Sequence, residues 1–357
     1  MNKKLYAAVL AAAVFISACN DEGNEATVVV PTAPETITQV VSFGDSLSDA
    51  GTYNPTTADT NPGNDLPSGL IFTTKPGMTW ATHVAIHFGK SLTPNRQVRF
   101  GVVGNGGQVI ELGGLGYAEG GSRIEVDAPD GGVVMQTIPG VGTVPVQLAT
   151  SRSIKTQIDD YLAEHGNAFN AQQLVLIEGG ANDFFNFLGQ VAANPALANT
   201  APAVISATAT AMVNQVARLK AAGATRIIYA SLPDLGLTPQ FRTTPLAGLA
   251  TQISTAYNGA VANALAGLGV HVYDTAALIQ QVVASPSTYG FTNATTPACT
   301  SYTTPGNPAT VSALICFATT VVSPGADLTY VFADGVHPTA SAHALWAEQV
   351  VAAFPSP

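Results

Sequence analysis

The chain has 357 residues, of which 46% are hydrophobic and only 10% are charged, and its formal net charge is −10. This length and apolar content are ample for a buried core, which excludes a disordered or fibrous protein. The acidic balance, with no cluster of Lys or Arg, argues against nucleic acid or an anionic membrane surface as the main partner.

The N-terminus has the pattern of a secretory signal peptide. A short basic start precedes an apolar run over residues 5–15, which is too short to span a bilayer. The run ends in Ile-Ser-Ala-Cys, which resembles the lipobox of bacterial lipoproteins. We therefore expect residues 1–18 to be removed, Cys19 to carry lipid, and residues 19–35 to form a polar tether. This would give an exported, membrane-anchored envelope lipoprotein; the alternative is ordinary cleavage and free secretion.

The rest of the chain, residues 36–357, is predicted to be one α/β domain. Short apolar runs that end at turn residues predict strands at 38–43, 174–178, 226–231 and 270–274. Apolar residues that recur on one face predict helices at 205–219, 249–265 and 339–354. Alternating strands and helices imply a parallel sheet covered on both faces, with ligands binding at the carboxyl ends of its strands.

Three segments interrupt this alternation. Residues 52–77 are expected to form a long polar loop, and the Gly- and Val-rich residues 98–145 irregular or hairpin structure. The third segment, 299–316, begins and ends with cysteine. Because the chain is expected to be exported, Cys299 and Cys316 are predicted to form a disulfide. Neither has a ligand partner at metal-binding spacing, and no metal or cofactor is predicted.

Two motifs at opposite ends of the domain could carry nucleophilic chemistry. Ser46 lies in a Gly-Asp-Ser-Leu turn directly after the first predicted strand, where a hydroxyl can be exposed at the edge of the sheet. By itself such a turn is more often a helix cap. Asp334 lies three residues before His337, a spacing at which a carboxylate can orient an imidazole toward a nucleophile. By itself this pair is also typical of a turn that starts a helix.

Two further motifs could stabilise negative charge on a substrate oxygen. Asn182 follows the second predicted strand in Gly-Ala-Asn-Asp, and its amide can donate a hydrogen bond to an oxyanion. An Asx turn is the alternative. Gly120 and Gly121 follow Tyr-Ala-Glu, and a glycine N–H can approach a substrate closely. An ordinary tight turn is the alternative there.

Taken in order, these four motifs resemble the blocks of the GDSL, or SGNH, hydrolase family across nearly the whole mature chain. The resemblance implies a three-layer α/β/α sandwich with a central, mostly parallel sheet. It implies hydrolysis of ester bonds, with Ser46 as nucleophile and Asp334 and His337 as its acid–base partners. The implied oxyanion hole consists of the backbone N–H groups of Ser46 and Gly121 and the side chain of Asn182. The Gly-x-Ser-x-Gly elbow of α/β-hydrolases is not matched at its last position.

The leading hypothesis is an exported carboxylester hydrolase that acts on acyl esters, lipids included. Four phenylalanines are candidates to line an acyl pocket, although buried core positions are the ordinary alternative: Phe72, Phe184, Phe185 and Phe187. A second hypothesis is removal of acetyl groups from polysaccharide, since the family includes such members. A third is a non-catalytic surface lipoprotein that binds a ligand on a hydrolase scaffold. The sequence does not indicate an oligomeric state.

Overall fold

The computed structural model describes residues 36–56, 70–102, 109–128, 133–138, 142–147, 149–300 and 311–354. The predicted signal peptide, Cys19 and the tether lie outside the described residues. In chain order the elements are β1 (Gln39–Phe43), β2 (Tyr53–Thr56), α1 (Trp80–His87), β3 (Arg96–Val102), β4 (Val109–Glu111), β5 (Val133–Ile138), β6 (Gly142–Gln147), α2 (Ile154–Glu164), β7 (Gln173–Ile177), α3 (Ala181–Ala193), α4 (Ala201–Ala221), β8 (Arg226–Ala230), α5 (Ala247–Leu265), β9 (His271–Tyr273), α6 (Thr275–Ala284), α7 (Ala326–Thr329) and α8 (Ala340–Ala353).

The central sheet consists of four parallel strands in the order β1-β7-β8-β9. Each matches a strand predicted from the sequence to within one residue at either end. All of β7 and four of the five residues of β1 are buried, because helices cover both faces. Strands buried on both faces read as continuous apolar runs, which explains why the sequence reveals them.

Helices cover the sheet on both sides. On one side α2, α3, α4 and α5 contribute buried residues such as Ile158, Phe184, Met212 and Tyr257 to a single core. On the other side α1, α6 and α8 form a second core, in which the rings of Trp80 and Trp346 stack with centroids 4.9 Å apart. The predicted α/β/α sandwich is therefore confirmed. Helices α1, α2, α3, α6 and α7 are additional to the helices predicted from the sequence.

A second sheet lies in the region predicted to be loop and irregular structure. Its strands follow the order β2-β3-β6-β5, and β4 pairs with β3. The β5–β6 pair is an antiparallel hairpin, as the sequence suggested for this region. The expectation of a simple polar loop at 52–77 is wrong at its start, where β2 pairs in parallel with β3. The side chain of Tyr53 in β2 is buried, and its hydroxyl lies 2.8 Å from the backbone oxygen of Gly120 and 2.9 Å from that of Thr150, either of which can accept its single hydrogen.

Among the described residues, one helical segment, Pro195–Ala221, is long and apolar enough to cross a membrane by length and composition alone. Its C-terminal part, α4, buries Met212, Val216 and Leu219 in the core beside the sheet. It also packs along α5. These contacts are those of an outer-layer helix of the sandwich.

Candidate active site

The turn after β1 carries Ser46, with 9% of its surface exposed. Gly44 opens the turn with φ +154°, and a Cβ on this residue would lie 2.4 Å from Oε1 of Glu178, so only glycine fits. The turn is closed by the carboxylate of Asp45, which accepts the N–H of Leu47 at 3.0 Å. Ser46 is therefore held by packing and hydrogen bonds at the carboxyl end of the strand.

Three of the predicted site residues are joined by hydrogen bonds. Ser46 Oγ lies 2.8 Å from Nε2 of His337. On the other side of the ring, Nδ1 lies 2.8 Å from Oδ2 and 2.9 Å from Oδ1 of Asp334. Because both His nitrogens are engaged, the imidazole is positioned to receive a proton from the serine while the carboxylate supports its charged form.

The electrostatics of this group suit a general base. Burial acts to raise the pKa of Asp334, but the charge of His337 and the N–H groups that it and Val336 donate hold that pKa at about 2. Burial acts to lower the pKa of His337, but the charge and hydrogen bond of Asp334, with a smaller contribution from Asp45, raise it above its ordinary value. Asp334 thus stays ionised at neutral pH and favours the imidazolium.

The predicted oxyanion donors lie on three separate segments: the nucleophile turn, the glycine loop and the first turn of α3. The backbone N–H groups of Ser46 and Gly121 have no hydrogen-bond acceptor among the described residues. Gly121 has φ +81°, whereas the N–H of neighbouring Gly120 is already donated to Oδ2 of Asp49 at 3.0 Å. This difference favours Gly121 over Gly120 as a donor. Asn182 uses one amide hydrogen on the backbone oxygen of Ser122, at 3.0 Å, and the other stays free to donate.

A pair of buried carboxyl groups lies directly behind the nucleophile turn, and the sequence did not indicate it. Oε1 of Glu178 accepts the N–H of Asp45 and the hydroxyl of Ser48, both at 2.9 Å. Burial, followed by the charge of Asp45, raises the pKa of Glu178 well above its ordinary value, and burial also raises that of Asp45. Two carboxyl groups buried side by side disfavour each other's ionised form, and Oδ2 of Asp45 has no hydrogen-bond partner among the described residues. The one sign of this pair in the sequence is Glu178 itself, a carboxylate at the end of an otherwise apolar run.

A buried ion-pair network supports the glycine loop. Glu119, two residues before Gly121, is fully buried and accepts hydrogen bonds from Arg96 at 2.6 and 2.9 Å. It also accepts the backbone N–H of Arg152 at 2.7 Å and its Nε at 2.8 Å. Since Arg96 and Arg152 come from distant segments, no local pattern in the sequence could reveal this network.

Of the four phenylalanines considered for an acyl pocket, only one contacts the site. The ring of Phe72 lies 5.1 Å from that of His337 and is half-buried. Phe184 and Phe187 instead belong to the core beneath α3. Phe185 stacks on Phe241 with centroids 5.9 Å apart. Phe184 and Phe187, three residues apart, share the buried face of α3, whereas Phe185 points in a different direction.

Cys299 and Cys316 are bonded to each other, with their Cα atoms 5.7 Å apart. The N–H of Cys299 donates to the backbone oxygen of Ala333, immediately before Asp334, at 2.9 Å. From the other arm of the bridge, the N–H of Ala313 donates to Oδ2 of Asp334 at 2.7 Å. The disulfide therefore ties together two segments that contact the loop carrying the acid and the base.

Comparison with known proteins identifies the family of this chain. Residues 40–350 match the family described as GDSL-like Lipase/Acylhydrolase. The chain belongs to this family. Because the chain belongs to this family, the described domain is an ester-bond hydrolase. Within the described residues no group of three or more His, Cys, Asp and Glu side chains could hold a metal ion.

Several proteins are similar to this GDSL-type chain. An uncharacterized protein encoded in the trpE-trpG intergenic region of Pseudomonas putida is 29% identical over 264 residues, which cover 72% of this chain and 39% of the relative. The chain thus spans about two fifths of the length of that relative. A carbohydrate acetylesterase from Sinorhizobium meliloti has a TM-score of 0.38 at 14% identity, and the native M. smegmatis aryl esterase has 0.36 at 15%. Each alignment covers 88% of this chain and 99% of the other.

Proposed function

We propose that the protein is an exported serine carboxylester hydrolase that cleaves acyl esters through an acyl-enzyme on Ser46. The observation that carries the proposal is the 2.8 Å hydrogen bond between Ser46 Oγ and Nε2 of His337, with Asp334 bonded to the opposite ring nitrogen. A nucleophile, a base and an orienting carboxylate in this order are the parts that acyl transfer requires.

The first half of the reaction forms the acyl-enzyme. His337 Nε2 takes the proton of Ser46 as Oγ bonds to the carbonyl carbon of the ester. The tetrahedral oxyanion accepts hydrogen bonds from the N–H groups of Ser46 and Gly121 and from Asn182. The bond to the alcohol oxygen then breaks, and the alcohol leaves with the proton from His337. Donors already in place stabilise this charge without reorganisation, each contributing about 3–4 kcal/mol.

The second half returns the enzyme to its starting state. Water replaces the alcohol, gives its proton to Nε2 of His337 and attacks the acyl carbon. Collapse of the second tetrahedral species breaks the bond to Ser46 Oγ, which recovers the proton, and the carboxylic acid is released. Asp334 stays charged throughout because its pKa is about 2.

The proposed substrates are esters with an apolar acyl or alcohol part. The half-buried ring of Phe72 forms an apolar wall 5.1 Å from the ring of His337. The hydroxyl of Thr73 donates to the backbone oxygen of Pro338 at 3.0 Å, which fixes this wall to the loop that carries the base. Such a surface favours hydrophobic groups over a sugar at the reacting carbonyl.

We place the enzyme outside the cytoplasm, held to a membrane by lipid on Cys19. The basic, apolar and small-residue order of residues 1–18 supports export, and the Cys299–Cys316 disulfide is consistent with an oxidising compartment. Two or more acyl chains would anchor the protein stably, since each buried methylene contributes about 0.8 kcal/mol. Residues 19–35 would then hold the domain away from the bilayer.

The function is tested with the purified mature protein on a panel of p-nitrophenyl esters of increasing chain length, phospholipids and acetylated glycans. We expect turnover of the p-nitrophenyl esters and its loss in Ser46→Ala, with the same Tm as wild type. Ser206→Ala, on the exposed face of α4, is the control and should keep full activity. Activity confined to acetylated glycans would contradict the proposed substrate class, and an active Ser46→Ala would contradict the mechanism.

A further inference from the structure

One fully buried amide, that of Gln157 in α2, lies between the loops of the site. Its Oε1 accepts the N–H of Gly44 at 2.9 Å, and its Nε2 donates to the backbone oxygen of the same residue, also at 2.9 Å. Nε2 lies as well 3.0 Å from Oγ of Ser122 and 3.1 Å from the backbone oxygen of Arg152. With two hydrogens on Nε2, the amide bonds to Gly44 and can donate its second hydrogen to Ser122, whose own hydroxyl donates to the oxygen of Arg152 at 2.6 Å.

Two of these partners, Gly44 and Ser122, lie within two residues of a proposed oxyanion donor. Gly44 lies two residues before Ser46 in the nucleophile turn. Ser122 directly follows Gly121, and its backbone oxygen accepts the amide of Asn182 at 3.0 Å. The amide of Gln157 therefore bonds to the turn that carries Ser46. On its other side it contacts Ser122, which follows Gly121 in the chain and accepts the amide of Asn182.

Two further hydrogen bonds join the glycine loop to the segment that carries Ser46: the N–H of Gly120 donates to Oδ2 of Asp49 at 3.0 Å, and a backbone bond is made by Glu119. The N–H of Glu119 donates to the oxygen of Gly44 at 3.2 Å, which is longer than the bond that Gln157 makes to the same oxygen. Without the amide, the contacts of Glu119 and Gly120 would remain, but Ser122, which directly follows Gly121, would lose its link to Gly44. The spacing between the donors of Ser46 and Gly121 would then be set without the hydrogen bonds of this amide.

We infer that Gln157 is a positioning residue for the oxyanion hole: by pairing with Gly44 and Ser122 it sets the spacing between the donors of Ser46, Gly121 and Asn182. The inference rests on the proposed function. Donors stabilise a developing charge only if they are already placed where it forms, and an error of about 1 Å costs on the order of 100-fold in rate. Substrate binding before the reaction does not need this spacing.

The test compares Gln157→Met with Gln173→Met. Methionine has a similar length but cannot replace the hydrogen bonds of the amide. Gln173 is a matched control because it is also buried, but at the N-terminal end of β7, away from the carboxyl ends of the strands where the site lies. Its amide bonds to Tyr161, Asn170 and Gln39. Both substitutions should lower the Tm, whereas only Gln157→Met should disturb the oxyanion donors.

For each variant we would measure kcat and KM with p-nitrophenyl acetate and the affinity for phenylboronic acid, which bonds to a serine oxygen as a tetrahedral anion. For Gln157→Met we expect kcat to fall about 10- to 100-fold with KM within about 3-fold of wild type. The affinity for the boronic acid should fall by a similar factor. Gln173→Met should keep kcat within about 2-fold. Gln157→Glu keeps an acceptor for Gly44, so its kcat should be intermediate, and it serves if the Met variant does not fold.

The inference is overturned if both Met variants keep wild-type kcat and boronic acid affinity, or if the two lose activity equally and in proportion to Tm. Ser46→Ala, measured in parallel, separates this failure from failure of the proposed function. An inactive Ser46→Ala beside a fully active Gln157→Met would reject only the role of Gln157. An active Ser46→Ala would reject both.

Discussion

Replacing Asp334 with Asn tests how the base is supported. The carboxylate contacts Nδ1 of His337 through both oxygens and also accepts the N–H groups of Ala313, Val336 and His337 at 2.7, 3.0 and 2.8 Å. An amide of the same shape must turn an NH₂ toward one of these donors. If the NH₂ faces Nδ1, it forces the ring proton onto Nε2, where it blocks acceptance of a proton from Ser46.

We expect Asp334→Asn to lower kcat by about 10⁴-fold, which corresponds to about 5 kcal/mol of lost transition-state stabilisation. The pH profile should also change. In the wild type the pKa of His337 lies above its ordinary value of 6.5, so the acid limb of kcat/KM should lie above pH 6.5. Removing the neighbouring negative charge makes the imidazolium less favourable, so the limb should shift to lower pH.

The assay is the pH dependence of kcat/KM with p-nitrophenyl acetate, measured alongside Asp234→Asn. Asp234 is a suitable control because it is equally buried and accepts hydrogen bonds from Gly236, Thr251 and Gln280. That variant should leave the acid limb in place. A loss of less than about 10-fold in Asp334→Asn, with an unmoved acid limb, would refute the reasoning, because an orienting carboxylate contributes far more than that.

Three further predictions follow from the site and its surroundings. Asn182→Ala should lower kcat about 10²- to 10³-fold with little change in KM, because it removes one oxyanion donor; steady-state kinetics checks this, and a loss confined to KM would contradict it. Joint replacement of Cys299 and Cys316 by Ala should lower the free energy of unfolding by about 3 kcal/mol, measured in urea, since the bridge closes a loop with a sequence separation of 17; unchanged stability would refute this. Cys19→Ser should move the enzyme from the membrane fraction to the soluble fraction with activity retained, and wild-type protein that is soluble with an unmodified N-terminus would support free secretion instead.

The elements that the sequence predicted well are those with a strong local pattern. The strand β7 has the run Gln-Leu-Val-Leu-Ile, which is buried on both faces, and α5 repeats apolar residues every four positions. Helix α1 was not predicted because its short sequence, Trp80–His87, is mostly buried and lacks a polar face with helical period. Helix α3 was not predicted because it begins inside the Gly-Ala-Asn-Asp motif, after two glycines with positive φ.

The residues of the site also divide into those with a local sequence pattern and those without one. Asp334 and His337 are neighbours on one loop, and Ser46 follows a recognisable strand, so their types and spacing were visible in the sequence. Glu178 contacts Asp45 across 133 positions, and Gln157 contacts Gly44 across 113 and Ser122 across 35, so only the folded chain brings these groups together. The sequence therefore indicated the groups proposed to react, but not the buried polar groups that hold them in place.

The central claim is that Ser46 is the nucleophile, and covalent labelling tests it most directly. The mature protein would be incubated with diethyl p-nitrophenyl phosphate, which transfers a diethyl phosphate group to an activated serine and releases p-nitrophenol. Peptide mass spectrometry would then locate the added group. The account predicts one group per chain, on Ser46, with activity lost in proportion to labelling. Labelling of a different residue in step with the loss of activity, or full activity after complete labelling of Ser46, would contradict it.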